Sequence, residues 1–291
     1  ATPCARQRSS FALYEWLRDQ TFDVIVLPLR DGVGFHTLSA KSQGLAFPNT
    51  LFCAVADRKT PPKGMDGLSL PTGNAPIRVD FMERRCASQA DLLLSPDEET
   101  RAQLQQEHFR LPSHVRVVGR PADLHQNDVK QRWLKALTMT PIPSRKLALA
   151  ELAKQSDPPL VSVGLVTFNR PQLLRQAVDS LCKQDYPRLE VILVDDGSSD
   201  PLAVGALDDL APLFAERGWQ IVRQQNRYLG AARNAAANMA RGKYLIFMDD
   251  DNVAKSHEVR TLVAVAEYTE ADILTCHLDR FSSTDSPLHQ A

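Results

Sequence analysis

Five apolar residues, Tyr244 to Met248, run without a break into Asp249, Asp250 and Asp251. A short continuous stretch of β-forming side chains is the pattern of a strand buried on both faces, which needs a sheet covered by helices on either side. The run therefore points to a layered α/β arrangement. The carboxylates cannot end that strand unpaired in the interior, because an isolated buried carboxylate costs several kcal/mol. They must project into water or onto a cation, and oxygen ligands clustered this tightly suit a hard divalent ion such as Mg or Mn. Taken alone, Asp-Asp-Asp is more simply a solvated acidic turn, so its company decides.

That company is a repeating strand–helix pattern upstream. Leu160–Val166 reads as a strand, and Thr167-Phe168-Asn169-Arg170-Pro171 turns it into a helix, with Asn169 an N-cap type and Pro171 suited to the first turn. Leu173, Leu174, Ala177, Val178, Leu181 and Cys182 recur at helical spacing. Leu189–Val194 is the next strand, ending at Asp195-Asp196-Gly197-Ser198-Ser199-Asp200. A helix over about 202–217, a strand over 219–223 and an alanine-rich helix over 229–241, stopped by Gly242, bring the chain to Lys243. In a doubly wound sheet, ligands collect at the carboxyl ends of parallel strands. Three such ends carry Thr167–Arg170, Asp195–Asp196 and Asp249–Asp251, and acidic corners facing one another favour a cation or several donors between them.

The first half alternates in the same way. Strands are expected over 22–29, 50–55, 90–95 and 115–118, with helices over 11–17, 35–45 and 77–90 and an acidic helix start at Pro96-Asp97-Glu98-Glu99. Gly32 and Gly34 lack the third glycine of a dinucleotide fingerprint and read as a plain turn. The Pro- and Gly-rich stretch 57–76 is a long loop able to cover a site. Residues 122–159, with Pro141, Pro143, Pro158 and Pro159, read as a connector, partly helical.

A chain of 291 residues is long enough for two domains. The net charge of −1, from 34 basic and 35 acidic residues, gives no sign of nucleic acid or an anionic membrane as partner. Neither a membrane-spanning run nor a secretory signal stands out. Five cysteines without a Cys-x-x-Cys pair read as buried thiols in a reducing, cytoplasmic compartment. Because the chain starts without Met and stops soon after the acidic strand, it is expected to be a fragment of a longer protein.

Val161-Ser-Val, Thr167-Phe-Asn-Arg-Pro171, Val194-Asp-Asp-Gly-Ser-Ser-Asp200, Asn226-Arg-Tyr-Leu-Gly-Ala-Ala-Arg-Asn234 and Phe247-Met-Asp-Asp-Asp-Asn252 together resemble the nucleotide-sugar half of a family 2 glycosyltransferase of the GT-A fold, over about 160–273. More faintly, Phe22-Asp-Val-Ile-Val26, Gly34–Lys41, Asp80–Arg85 and Ala90–Pro96 resemble part of the N-terminal lobe of a family 4, GT-B glycosyltransferase. The fold class expected is thus α/β: a partial GT-B-type Rossmann-like lobe over 1–121, a linker over 122–159, and a truncated, mostly parallel GT-A-type αβα sandwich over 160–291.

The family 2 resemblance implies a nucleotide site at Thr167, Phe168, Asn169, Arg170, Asp195, Asp196, Arg227, Arg233, Asp249 and Asp250, and a metal, Mn or Mg, on Asp251 and Asp249. Phe168 falls near the base, Asp196 where a carboxylate accepts from a uracil-type ring, and Arg227 and Arg233 beside the diphosphate, where the arginine fork pairs with phosphate oxygens. Asp250 and Asp251 match the acidic pair of the DxD motif. Plainer roles stand beside these: a solvated helix face for Arg233, a carboxylate ordering the Gly197–Ser199 turn for Asp195, and a helix start for His257.

The implied reaction moves a sugar from a nucleoside diphosphate, UDP by family tendency, to an acceptor hydroxyl on a glycan, lipid-linked or protein acceptor, with inversion. A general base is expected beyond Ala291, Asp272 and Asp279 being poor candidates. A non-catalytic nucleotide-sugar-binding module is the alternative. A nucleotidyltransferase would want a glycine-rich loop after its first strand, which Thr167-Phe-Asn-Arg-Pro171 lacks.

Overall fold

A computed structural model describes residues 5–57 and 74–276. The chain forms two compact units, Ala1–Ala148 and Leu149–Ala291. The long loop expected over 57–76 and the late carboxylate Asp279 lie mostly or wholly outside the described residues.

In the first unit, Ala5–Arg18 (α1) leads to Val24–Pro28 (β1), Phe35–Ser42 (α2), Leu51–Val55 (β2), Asn74–Gln89 (α3), Leu92–Ser95 (β3), Glu98–Gln106 (α4), His114–Val117 (β4) and Asn127–Met139 (α5). Its sheet has the order β1-β2-β3-β4, every pair parallel. Alternate side chains serve opposite faces. Ile25, Phe52, Ala54 and Leu93 pack with Leu17, Leu38, Met82 and Cys86, while Leu51, Cys53, Leu92 and Leu94 pack with Val129, Trp133 and Ala136.

That second face corrects the expected linker. Within 122–159, α5 is a wall of the first unit: Val129, Trp133 and Ala136 recur at helical spacing and are buried, and Trp133 Nε1 donates to Gly119 O at 3.3 Å. The prolines bracket this helix without entering it, so a composition typical of linkers conceals a core element. Gly32 has φ of +61°, and a Cβ there would lie 2.3 Å from Met82 Cβ, so the glycine serves a tight turn packed under α3.

One buried charge pins this unit. Lys41, on α2, donates from Nζ to Thr50 O at 2.6 Å and to the Asp91 carboxylate, whose Oδ2 also accepts from Phe52 N at 2.8 Å. All four residues sit at the amino ends of β2 and β3 or face them. Burial lowers the Lys41 pKa against the pull of Asp91.

After a short helix, Ala148–Leu152 (α6), the second unit runs Val161–Thr167 (β5), Pro171–Cys182 (α7), Leu189–Asp195 (β6), Pro201–Arg217 (α8), Gln220–Arg223 (β7), Tyr228–Met239 (α9), Tyr244–Asp249 (β8) and Glu258–Thr269 (α10). The strand order is β7-β6-β5-β8, again parallel throughout. Leu174, Ala177, Val178 and Leu181 of α7 pack with Leu207, Leu210 and Phe214 of α8 against one face. On the other, Ala232 and Ala236 of α9 lie against Val166, Ile192 and Val194. Here a Cβ added at Gly164 would meet Ala236 Cβ at 2.9 Å, so the alanine-rich sequence of α9 follows from how closely it approaches the sheet.

Two expectations change. Among the described residues β8 is at the edge of this sheet, and α9 covers β5 and β6 instead of reaching over it, leaving Phe247 47% and Leu245 37% exposed. Among these residues its apolar run has one covered face, not two. Gly242 does not cap α9, which ends at Ala240 in extended backbone. It lies where a side chain would strike Ser162 N at 2.6 Å, and its own N–H donates to Ser162 Oγ at 2.8 Å.

Ser162 in turn donates to Glu190 at 2.6 Å, and Glu190 accepts from Arg241 N and Nε, both at 2.8 Å. Burial alone would raise the Glu190 pKa, but these donors together outweigh it and leave it lowered.

Candidate nucleotide site at the strand ends

Parallel registration brings the three predicted corners together. Thr167 at the end of β5 pairs with Asp195 at the end of β6, and Val166 pairs with Asp249 at the end of β8. The loops that leave these ends are stitched to one another by side chains.

Asn169 holds the first two. It adopts φ of +54°, a left-handed conformation that asparagine tolerates better than most residues. Its N–H donates to Ser198 Oγ at 2.9 Å, and its Oδ1 accepts from Ser199 N and Asp200 N, both at 2.9 Å. Asn169 is therefore not the N-cap of α7. Arg170 occupies that place without a side-chain bond, and Pro171 follows at the first helical position. A residue type that favours caps also favours left-handed turns, and sequence alone does not separate the two.

Asp195 orders the Gly197–Ser199 turn, its carboxylate accepting from Ser198 N at 3.1 Å, which is the plainer of its two expected roles. Asp196 is 4% exposed and ties in the next loop: its Oδ1 accepts from Gln224 Nε2 at 2.7 Å and from Arg227 N at 3.0 Å. A Cβ at Gly197, whose φ is +81°, would lie 2.7 Å from Asn226 N, so only glycine lets these loops touch. Gln224 and Ser198 are site-building residues that sequence reasoning missed. Both lie beside motif residues, but neither carries a chemical signature of its own.

The acidic triplet divides. Asp249 continues the alternation of β8 and shares the side of Val166, next to α9, where Arg233 grips it with Nη2 at 2.7 and 3.0 Å from its two oxygens. Asp250 turns to Thr167, whose Oγ1 donates to it at 2.8 Å. Arg170 Nη1 then stands 3.2 Å from Asp250 Oδ1 and 3.3 Å from Asp251 Oδ2. Of the triplet, the two carboxylates that converge are Asp250 and Asp251, not the expected Asp251 with Asp249, because strand alternation sends Asp249 to an arginine on the helix side. Among the described residues, no three His, Cys, Asp or Glu side chains gather to hold a metal ion. The converging pair does fit a cation, since both carboxylates already aim at one positive nitrogen, and two carboxylates with phosphate and water oxygens suffice for a hard ion. Burial raises the Asp250 pKa, against the opposing pull of Thr167 and Arg170.

Around this floor, Phe168 is 44% exposed, Arg227 is exposed at the start of α9, and Tyr228 beside it is 83% exposed at φ of +65°. His257 stands at the N-cap of α10 without a side-chain capping bond, and Asp272 is exposed after that helix.

A parallel α/β unit whose polar side chains converge at the carboxyl edge of its sheet belongs to the broad class of nucleotide-binding folds. Residues 162–291, within the second unit, match the family described as glycosyl transferase family 2. The chain is 33% identical over 127 residues to the uncharacterized glycosyltransferase EpsJ of Bacillus subtilis, covering 43% of this chain and 36% of that protein. It is 29% identical over 127 residues to the glycosyltransferase GlyG of Streptococcus pneumoniae, covering 43% and 41%. The match thus spans only about two fifths of either relative's length. A mannosyltransferase from Pyrobaculum calidifontis, solved with GDP-Man and Mn2+, is similar at 24% identity and a TM-score of 0.36, covering 40% of this chain and 37% of that one. No helix among the described residues is long and apolar enough to cross a membrane.

Proposed function

We propose that the second unit binds a nucleoside diphosphate sugar, with UDP as the nucleotide, and serves transfer of that sugar with inversion to an acceptor hydroxyl. The observation that carries this is the Asp250–Asp251 pair converging on one cation at the end of β8, within a family 2 domain.

Each neighbour has work that suits such a ligand. Phe168 offers an exposed ring for a base to stack on. Gln224 and Arg227 both donate to Asp196 Oδ1, which leaves Oδ2 to accept from a ring N–H. Arg227 presents its guanidinium at the start of α9, where helix backbone also favours negative charge. Arg233 holds Asp249, so its role is to fix the acidic turn, and pairing with phosphate would require releasing that carboxylate. Asp250 and Asp251 would hold a divalent ion, Mn or Mg, which when bound supplies neutralisation of charge on the departing diphosphate. The acceptor and its base are not assigned among the described residues. The first unit, with its parallel four-stranded sheet, is proposed to be part of a GT-B-like lobe.

Calorimetric titration of UDP into the 291-residue chain, with and without Mn, tests the reading. Binding is expected to strengthen with Mn and to lose that gain in Asp251→Ala. No UDP binding under either condition would sink it.

A further inference from the structure

Among the described residues, Arg170 is the one basic group that touches both members of the acidic pair. Its Nη1 is shared between Asp250 and Asp251, although its side chain is 54% exposed while that of Asp250 is 5% exposed. The backbone that delivers it is fixed from both sides, by the three hydrogen bonds of Asn169 before it and by Pro171 opening α7 after it. Neighbouring carboxylates repel unless a cation lies between them. A half-exposed ion pair is also weakly held and therefore exchangeable.

We propose that Arg170 is an internal counter-cation for the Asp250–Asp251 pair, held in the place of a divalent ion and displaced when that ion enters. This rests on the metal reading given above. The displaced guanidinium stays at the same strand ends, where its planar fork suits diphosphate oxygens. Metal and nucleotide binding are then coupled through one side chain: the ion evicts the arginine, and the diphosphate gives it a new partner. By linkage, each ligand tightens the other, and removing Arg170 weakens that coupling.

The test is a Mn2+ titration of the full chain without nucleotide, followed by calorimetry or by the electron-spin signal of free Mn2+. Arg170→Ala is expected to bind Mn2+ about fivefold more tightly than the native chain, the scale of a half-exposed ion pair. Arg170→Lys keeps the charge and is expected to stay within about twofold. In the presence of UDP, the native chain should show a larger gain in Mn2+ affinity than Arg170→Ala does. Arg170→Gln serves in place of the alanine variant if thermal melts show the latter unfolded. Unchanged or weaker Mn2+ binding in the neutral variants, with binding lost in Asp251→Ala, would overturn the role of Arg170 while leaving the metal site standing. Mn2+ affinity indifferent to Asp251→Ala would overturn the metal site and this role with it.

Discussion

The two ends of these parallel sheets treat buried charge differently. At the amino ends, Lys41 with Asp91 in the first unit and Glu190 with Ser162 and Arg241 in the second are closed clusters whose charged atoms are met by backbone and side-chain partners from the same unit. At the carboxyl ends, Asp250 is just as buried, but one of its partners, Arg170, is more than half exposed, and its neighbour Asp251 is 52% exposed on the side chain. Both arrangements put a carboxylate inside. The difference is not the exposure of the partner, since Arg241 is more exposed than Arg170, but the number of donors: Glu190 alone receives Ser162, a backbone N–H and the Arg241 guanidinium, whereas Asp250 and Asp251 share one arginine nitrogen. Burial of charge therefore does not distinguish the two ends; two carboxylates sharing one cation does.

That contrast can be broken by substitution. The largest effect is expected from Lys41→Met, which leaves buried Asp91 with only the half-exposed Arg145, 3.6 Å away, as cation: a loss of about 3 kcal/mol in denaturant unfolding of the first unit. UDP binding by whatever fraction stays folded should be unchanged. A loss under 1 kcal/mol, on the order of a surface pair, would mean that the closed cluster is no pin.

Glu190→Gln should cost less, about 2 kcal/mol, because half of its support comes from Arg241, itself largely solvent-exposed. Its signature is the pH profile. A carboxyl whose folded pKa is lowered contributes stability that is present above its unfolded value and lost as pH falls through the folded one. The native chain should therefore lose stability on acidification more steeply than Glu190→Gln does. Equal slopes would remove Glu190 from the account.

Asp250→Asn is expected to have the smallest effect on stability and the opposite sign, a gain of about 1 kcal/mol near neutral pH. Because burial raises its pKa, Asp250 binds its proton more tightly folded than unfolded, so stability declines as pH rises from the unfolded value through the folded one. Asparagine removes that decline. The same variant should lose Mn2+ binding, and a thermal melt beside a titration would read both. A variant less stable than the native chain would place Asp250 with the closed clusters.

Most of the second unit was legible because its signals are local. Continuous apolar runs gave β5 and β6, a helical stripe gave α7, and the acidic or glycine-bearing ends gave the loops between. What escaped depends on tertiary position. Periodicity cannot say that β8 lies beside β5 and outside the cover of α9, since strand order is fixed by packing elsewhere. Lys41 on a helix reads as a solvated cation, and Asp91, fifty positions later, offers no hint that it waits at the end of β3. At the carboxyl ends of the strands, the convergence of the singled-out residues was legible but their pairing was not. The side of β8 to which Asp249 points, and hence its capture by Arg233, follows from the register of β8 on β5, which three aspartates in a row do not encode.

The contact between Gly164 and Ala236 reaches further than the core it fills. Arg233 lies three residues before Ala236, one helical turn nearer the strand ends, so the gap between α9 and the sheet sets the height at which its guanidinium meets Asp249. A single added methyl at position 164 would act like a shim under a beam, tilting the far end of the helix away from the acidic turn. The position of the acidic turn is therefore adjustable from the floor of the sheet, without touching the turn itself.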